Sequence, residues 1–446
     1  MKRTLYQDLL KWKTSRRRKP LLLQGARQVG KTWLINEFGK QEYNDFIYLN
    51  FEQQPNLQTL FTGTLSPKEI IKNIGLFLGR KIVAKDTLIC FDEIQAMPLA
   101  ITSLKYFYEQ APEFHLIAAG SLLGVRVGKS NSFPVGKVNF MTLYPLSFAE
   151  YLHAVGESFL ANELEGLSSI TALTDLLHTK VLHLLKMYLY VGGMPEVVQD
   201  YLNHQDIAAV RTIQNEIIEA YLRDFSKYTS PSQAIKTSEV WKSVPFQLAR
   251  ENKKFKYSEV RQKARAVTFE QTIEWLRNAG LIHLVNNIRT PKLPLSGYGD
   301  FTKFKIYLLD TGLLGAMLNI SSEIILNPSA LFTQYNGAFI ENFVNNELIN
   351  TGITELFYWT SKSDAEVDFI IQYADNIFPI EVKSGTSRKT KSLKVYADKY
   401  TPPLVFRLSP RNFIKRDNFV NIPLYALFIF PNLIKHLMSE HKDKMT

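Results

Sequence analysis

The sequence predicts a multidomain α/β chain: a parallel sheet wrapped by helices, then a helical and winged-helix region, then a second, smaller α/β domain. Three observations predict it. Apolar runs alternate with helical patterns from Leu21 to Ala119 around one glycine-containing loop, the order expected of a parallel sheet. From Glu150 to Tyr228 apolar residues recur at three- and four-residue spacing, the period of packed helices. Beyond Gly337 an amphipathic helix is followed by two short strands that carry charged residues at fixed steps. At 446 residues the chain is too long for one ordinary core. The predicted domains are 1–155, 156–235, 236–325 and 326–446.

Composition narrows the class. Formal net charge is +11, which favours an acidic partner such as nucleic acid or an anionic surface. The single cysteine, Cys90, lies in an apolar run, which excludes a disulfide framework and a cysteine metal site and fits a reducing cytoplasm. The basic start MKRTLYQDLLKWKTSRRRKP has no long apolar segment behind it, so no signal peptide is expected. The apolar stretch LYALFIFPNLI is short and holds Pro431, so no membrane-spanning helix is expected.

In chain order, Leu5, Leu9 and Trp12 have helical spacing and lead into the run Arg16 to Lys19, read as a solvated turn. Leu21 to Leu23 then form a strand entering Gly25-Ala26-Arg27-Gln28-Val29-Gly30-Lys31-Thr32, which fits G-x-x-x-x-G-K-[ST] without mismatch. This is a phosphate-binding loop. Its glycines let successive backbone N–H groups point inward, and the helix expected over Thr32 to Phe38 brings its positive end to the phosphates. Lys31 then reaches the β- and γ-phosphates of ATP, and Thr32 holds Mg²⁺.

Phe46 to Phe51 reads as the next strand. Thr87 to Phe91 is a short apolar run closing on Asp92 and Glu93, a Walker B pattern. At the end of a buried parallel strand Asp92 can hold Mg²⁺ and Glu93 can polarise the attacking water. His115 to Ala119 is a further strand, closing on Gly120 and Ser121. Ser121 is the candidate to sense the γ-phosphate from the strand beside the loop; a helix cap suits it equally well.

The runs GARQVGKT, ICFDEIQ, AAGSLLG and FPVGKVNFMTLYPLSFAEYL resemble a family of bacterial and archaeal AAA-type ATPases (AAA+ superfamily) fused to a C-terminal domain of unknown function. The resemblance covers nearly the whole chain and implies ATP hydrolysis. Family members often carry an arginine before the Pro-Leu-Ser-Phe element, where this chain has Lys137. The arginine finger is therefore unassigned, with Arg126 as a substitute or as a plain surface residue.

Between Glu150 and Tyr228 the helices are broken by Gly192-Gly193 and Pro195, in the phrase YVGGMPEVV that resembles a joint of the family. In Lys254 to Val285, Ser258 caps a short helix to Arg265, a second helix runs from Thr268 to Asn278, Gly280 ends it and a strand follows. That order is a winged helix. Lys254, Lys256, Arg261, Lys263 and Arg265 supply phosphate-directed charge, whereas Glu270 and Glu274 stand where base readers belong, so DNA contact and protein docking both stay open. Asp310, in IYLLDTGLL, reads as a helix cap.

The last domain carries Glu341 on the helix GAFIENFVNNEL. Ala365 to Ile371 and Ile377 to Val382 read as two strands joined at Tyr373-Ala374-Asp375-Asn376, presenting Asp368, Glu381 and Lys383. Glu on a helix, Asp on a strand and Glu-x-Lys on the next resemble the PD-(D/E)XK nuclease core, a restriction-endonuclease-like fold. A hairpin symmetric about Ala374-Asp375 sets Asp368 opposite Glu381, and Glu366 opposite Lys383. Facing carboxylates repel, and a divalent ion removes the conflict. Mg²⁺ or Mn²⁺ held by Asp368, Glu381 and Glu341, with Lys383 orienting water, could cut a phosphodiester. A charged hairpin with a Glu366–Lys383 salt bridge is the plain alternative.

The expected function is that of a Mg²⁺-dependent ATPase whose nucleotide cycle controls a DNA-processing nuclease-like domain. The alternative is an ATP-dependent DNA- or protein-binding regulator whose nuclease-like domain cuts nothing. Expected partners are ATP and DNA, with a second copy or a protein partner left open and no membrane.

Overall fold

The structure is a computed structural model and describes residues 1–120, 134, 136–167, 169–250, 253–323, 337–362, 364–385 and 390–443. The chain forms two compact units, one of Lys2–Tyr144 with Asn278–Gly280, the other of Pro145–Arg277 with Leu281–Thr446. The two units part at 144/145.

The first unit is built on five parallel strands: β1 (Leu21–Gln24), β2 (Asp45–Asn50), β3 (Thr87–Asp92), β4 (His115–Ala119) and β5 (Asn139–Thr142), in the order β2-β3-β4-β1-β5. Every residue of β1, β3 and β4 is buried, because helices cover both faces of the sheet. Leu22, Ile47, Leu49, Ile89, Phe91 and Leu116 join one cluster with Ile101, Leu104 and Phe107 of the helix Pro98–Gln110. The loop therefore leaves the carboxyl end of β1, between β4 and β5, which is where ligands bind in open parallel sheets.

In the second unit the helices Asp175–Val191 and Pro195–His204 meet at the expected break. Gly192 has φ +76°, and a Cβ on Gly193 would lie 2.2 Å from the Leu146 carbonyl oxygen, so the joint admits no side chain. Asp310 is a cap, as read: its carboxylate accepts from Leu313 N–H at 2.8 Å, and also from Gly193 N–H at 2.6 Å. The phrases YVGGMPEVV and LLDTGLL are thus tied to each other.

The sheet of this unit differs from expectation. Strands β6 (Ile282–Ile288), β7 (Gly299–Leu308), β8 (Phe357–Thr360), β9 (Glu366–Tyr373), β10 (Asn376–Val382), β11 (Val405–Ser409), β12 (Ile414–Arg416) and β13 (Phe419–Pro423) form one sheet in the order β12-β13-β11-β10-β9-β8-β6-β7. Because β6 pairs in parallel with β8, at Asn286 with Phe357 and at Ile288 with Trp359, the expected boundary at 325/326 does not separate two cores. Only part of the expected winged-helix order is seen among the described residues. The helix expected over Ser258 to Arg265 is only a short 3₁₀ turn at Tyr257–Glu259, since this charged stretch offers Val260 and Ala264 as its only apolar residues and has no face to bury. The following helix does form, over Ala266–Asn278. Among the described residues no helix is long and apolar enough to cross a membrane.

Candidate functional sites

The phosphate loop owes its path to three backbone positions. Gly25 has φ +155°, and a Cβ there would sit 2.2 Å from the Leu143 carbonyl oxygen. Gln28 and Gly30 take left-handed φ of 63° and 92°, turning the chain into the helix Lys31–Glu42. Ala26 and Val29 are buried beneath the loop, while Arg27 stays partly exposed above it. Lys31 Nζ bends back to the carbonyl oxygens of Gly25 at 3.0 Å and Ala26 at 2.7 Å. Burial pulls the Lys31 ammonium down to a pKa of about 8 against the upward pull of Glu93 and Asp92.

Asp92, 2% exposed at the end of β3, accepts from the Thr32 hydroxyl at 2.9 Å, the Tyr48 hydroxyl at 2.5 Å and Glu93 N–H at 2.9 Å. Glu93 stands in a left-handed conformation, φ 50°, and its carboxylate is held by the Gln95 side-chain amide. Tyr48 and Gln95 escaped the sequence reading. The signal available for Tyr48 was a polar ring two residues before the end of a strand that had to lie beside the carboxylate strand.

The residues present fit Mg²⁺: a hydroxyl and a carboxylate, both hard oxygen donors, converge beside the loop. Lys137, which stands where the family often has an arginine, is engaged by Glu109 at 3.0 Å. Ser121 and Arg126 lie outside the described residues.

On the C-terminal sheet the hairpin pairs as expected over five positions, Tyr373 with Asn376 through Phe369 with Ile380. The alternation then fails. Opposite β8, Phe357 pairs with Ile370 but Trp359 pairs with Val367, so β9 holds one extra residue at the point where Asp368 lies. Asp368 Oδ2 accepts from Val382 N–H at 2.8 Å, and the charges acting on it are those of Glu341, Lys305 and Lys253. Glu381 instead accepts from Leu393 N–H at 3.2 Å, in the first turn of the helix Lys391–Tyr400, and pairs with Lys383 at 2.5 Å. Glu366 pairs with Lys305 at 2.7 Å, so the alternative Glu366–Lys383 bridge is absent from that pair as well.

Glu341, 2% exposed, is gripped by Lys253, by Lys305 at 3.7 Å and by the Tyr307 hydroxyl at 3.1 Å. Burial pushes its carboxyl up, but the two ammoniums prevail and hold it below the ordinary range. These residues do not fit a divalent ion. Among the described residues no three carboxylate, histidine or cysteine side chains converge as a metal-binding group. The expected set of Glu341, Asp368 and Glu381 is thus corrected: Glu341 acts on Asp368, but Asp368 and Glu381 bind different partners, and Lys253 and Lys305 hold Glu341. Lys305 was missed, although a lysine inside the apolar strand FKIYLL was a signal that it needed a buried partner.

Burial, with Glu341 adding to it, raises the Asp368 pKa to about 7. Its folded pKa therefore exceeds the unfolded value of about 3.9, so its contribution to stability is full below that value and is lost as pH rises through about 7. Asp368→Asn keeps an acceptor for Val382 N–H and should remove this loss. Thermal midpoints of both proteins from about pH 4 to about pH 8 check it: the variant should gain on the wild type as pH rises towards about 7 and the gain should then level off, and parallel curves throughout would rule the raised pKa out.

Loop, carboxylate strand and sheet order place the first unit in the class of P-loop ATPases. Residues 17–152 match the family described as "AAA domain", so this part of the chain is an AAA-type P-loop ATPase domain. Residues 182–324 match "Domain of unknown function (DUF8612)" and 336–427 match "Domain of unknown function (DUF4143)". Among solved structures, the chain is similar to a Walker-type ATPase of Pyrococcus abyssi, with 14% identity, 71% of this chain and 95% of that one covered, and a TM-score of 0.44. It is also similar to the Orc1 protein of Aeropyrum pernix in complex with DNA (13%, 71% and 90%, 0.28) and to AMPPCP-bound DnaA of Aquifex aeolicus (12%, 61% and 86%, 0.28). No curated protein matches. The class rests on the loop and the family match, not on these distant structures.

Proposed function

We propose that the chain is a Mg²⁺-dependent ATPase whose nucleotide cycle controls a C-terminal domain that binds DNA without cutting it. The Thr32–Asp92 hydrogen bond beside a complete phosphate loop carries the ATPase part. Loop N–H groups and Lys31 hold the β- and γ-phosphates, and Thr32 and Asp92 hold Mg²⁺, which offsets charge on the triphosphate oxygens when bound. Glu93, once released from Gln95, orients and deprotonates water. The non-cutting part is supported by the lysines that surround Glu341 and by the different partners that engage Asp368 and Glu381.

Purified protein should release phosphate slowly from Mg²⁺–ATP, at a rate that changes when DNA is added, and should leave plasmid intact with Mg²⁺ or Mn²⁺. Absence of both ATP binding and turnover would sink the ATPase reading. Nicked or linear plasmid would restore the nuclease.

A further inference from the structure

A cavity of about 1190 Å³ opens on the second unit where β6, β7, β8 and β9 meet the segment Lys253–Lys256. It is larger than the clefts of about 300–1,000 Å³ that take small ligands. Seven lysine and arginine side chains line it against three carboxylates. Of those three, Glu366 is already neutralised by Lys305 at 2.7 Å. Lys256, Arg289, Lys303, Lys362 and Lys399 are exposed to the cavity mouth, and Thr290, Thr302 and Thr360 add hydroxyls between them. A field of one sign in a walled groove attracts a polyanion.

The groove also has a flat apolar wall. Phe255 stacks on Phe304 with ring centroids 5.6 Å apart and planes at 17°, fixed by Phe255 N–H donating to the Phe304 carbonyl at 2.9 Å. Lys254 and Lys256 flank Phe255 in sequence, so charge and ring alternate along the wall. Basic groups interleaved with a stacking surface suit a single strand, whose phosphates and bases are both accessible; a duplex hides the bases. Lys253, which lines the groove, pairs with the buried Glu341, and Lys305 behind it is shared between Glu341 and Glu366.

We propose that this groove binds single-stranded nucleic acid through its phosphates and one stacked base, with its lining lysines and arginine, and no divalent ion, supplying the positive charge. This rests on the reading that the domain meets DNA and does not cut it, and assigns the site and the form of DNA.

The test is fluorescence anisotropy of the full chain with labelled oligo-dT and with a duplex of equal length, in EDTA or Mg²⁺, over a series of salt concentrations. The probe protein is compared with the triple variant Lys256→Gln, Arg289→Gln, Lys362→Gln, whose folding is checked by circular dichroism and ATP binding. Expected results are affinity for oligo-dT equal within about twofold in EDTA and Mg²⁺, at least about tenfold above that for duplex. In the variant, affinity should fall at least about tenfold and the log–log salt slope should shrink by about 2, at about 0.7 per phosphate contact on a single strand. An unaltered variant places DNA binding elsewhere and overturns the groove while the wider reading stands. Binding lost in EDTA overturns metal independence, and equal binding of duplex overturns the single strand. If neither probe binds, the DNA reading itself falls.

Discussion

Lys31→Ala should abolish nucleotide binding, and Glu93→Gln should leave ATP bound but unhydrolysed. Lys31 is the one ammonium seated on the loop carbonyls, and burial has already loosened its hold on its proton. A triphosphate arriving there forms charge-assisted bonds in a desolvated place, so losing them costs about 3 kcal/mol or more, a hundredfold in Kd. Glu93 touches no loop atom; its carboxylate rests on Gln95. Its replacement should therefore spare binding and lower turnover by about 10²–10⁴, the usual contribution of a positioned base. Titration with a fluorescent ATP analogue and phosphate release separate the two effects. Lys31→Ala protein that binds within twofold of wild type would move the site off this loop.

The second large effect concerns stability. Glu341→Gln keeps an acceptor for the Tyr307 hydroxyl but strips the countercharge from Lys253 and leaves the buried Lys305 with Glu366 alone. Breaking a buried pair from one side costs about 3–5 kcal/mol, because the remaining charge is left in low dielectric. Lys305→Met should cost a similar amount through Glu341 and Glu366. The double variant should lose less than the sum of the two, since it removes both sides of one interaction. Urea unfolding measures all three, and a Glu341→Gln cost below about 1 kcal/mol would show that charge does not hold this cluster.

What could be read in advance was local. The phosphate loop is legible because its chemistry fits within eight consecutive residues, and β3 and β4 because buried parallel strands are unbroken apolar runs. The hairpin register was legible too, since the turn at Ala374-Asp375 sets it. The face of Asp368 was not. It depends on the extra residue that β9 takes up against β8, and β8 pairs from a position that no turn connects to the hairpin's symmetry. The same holds for the sheet that crosses 325/326, joined by a parallel pairing whose partners lie some 70 residues apart, Asn286 with Phe357. The missing helix at Ser258 to Arg265 has another cause: a cap at Ser258 does not sustain a helix that has no apolar stripe to bury.

That parallel pairing also governs how the molecule can be divided. A fragment starting at 326 would carry β8 with its β6 side bare, a row of unpaired N–H and C=O groups in a strand whose Phe357, Tyr358 and Trp359 are otherwise buried. Such an edge is a template for pairing between chains. Its natural cover, β6, is synthesised first and must wait, so a chain halted between Leu308 and Phe357 exposes the complementary edge. A cut that leaves this sheet whole must fall before Ile282, the cut at 144/145 also keeps its unit together, and a ribosome must pass Pro423 before the last strand is in place.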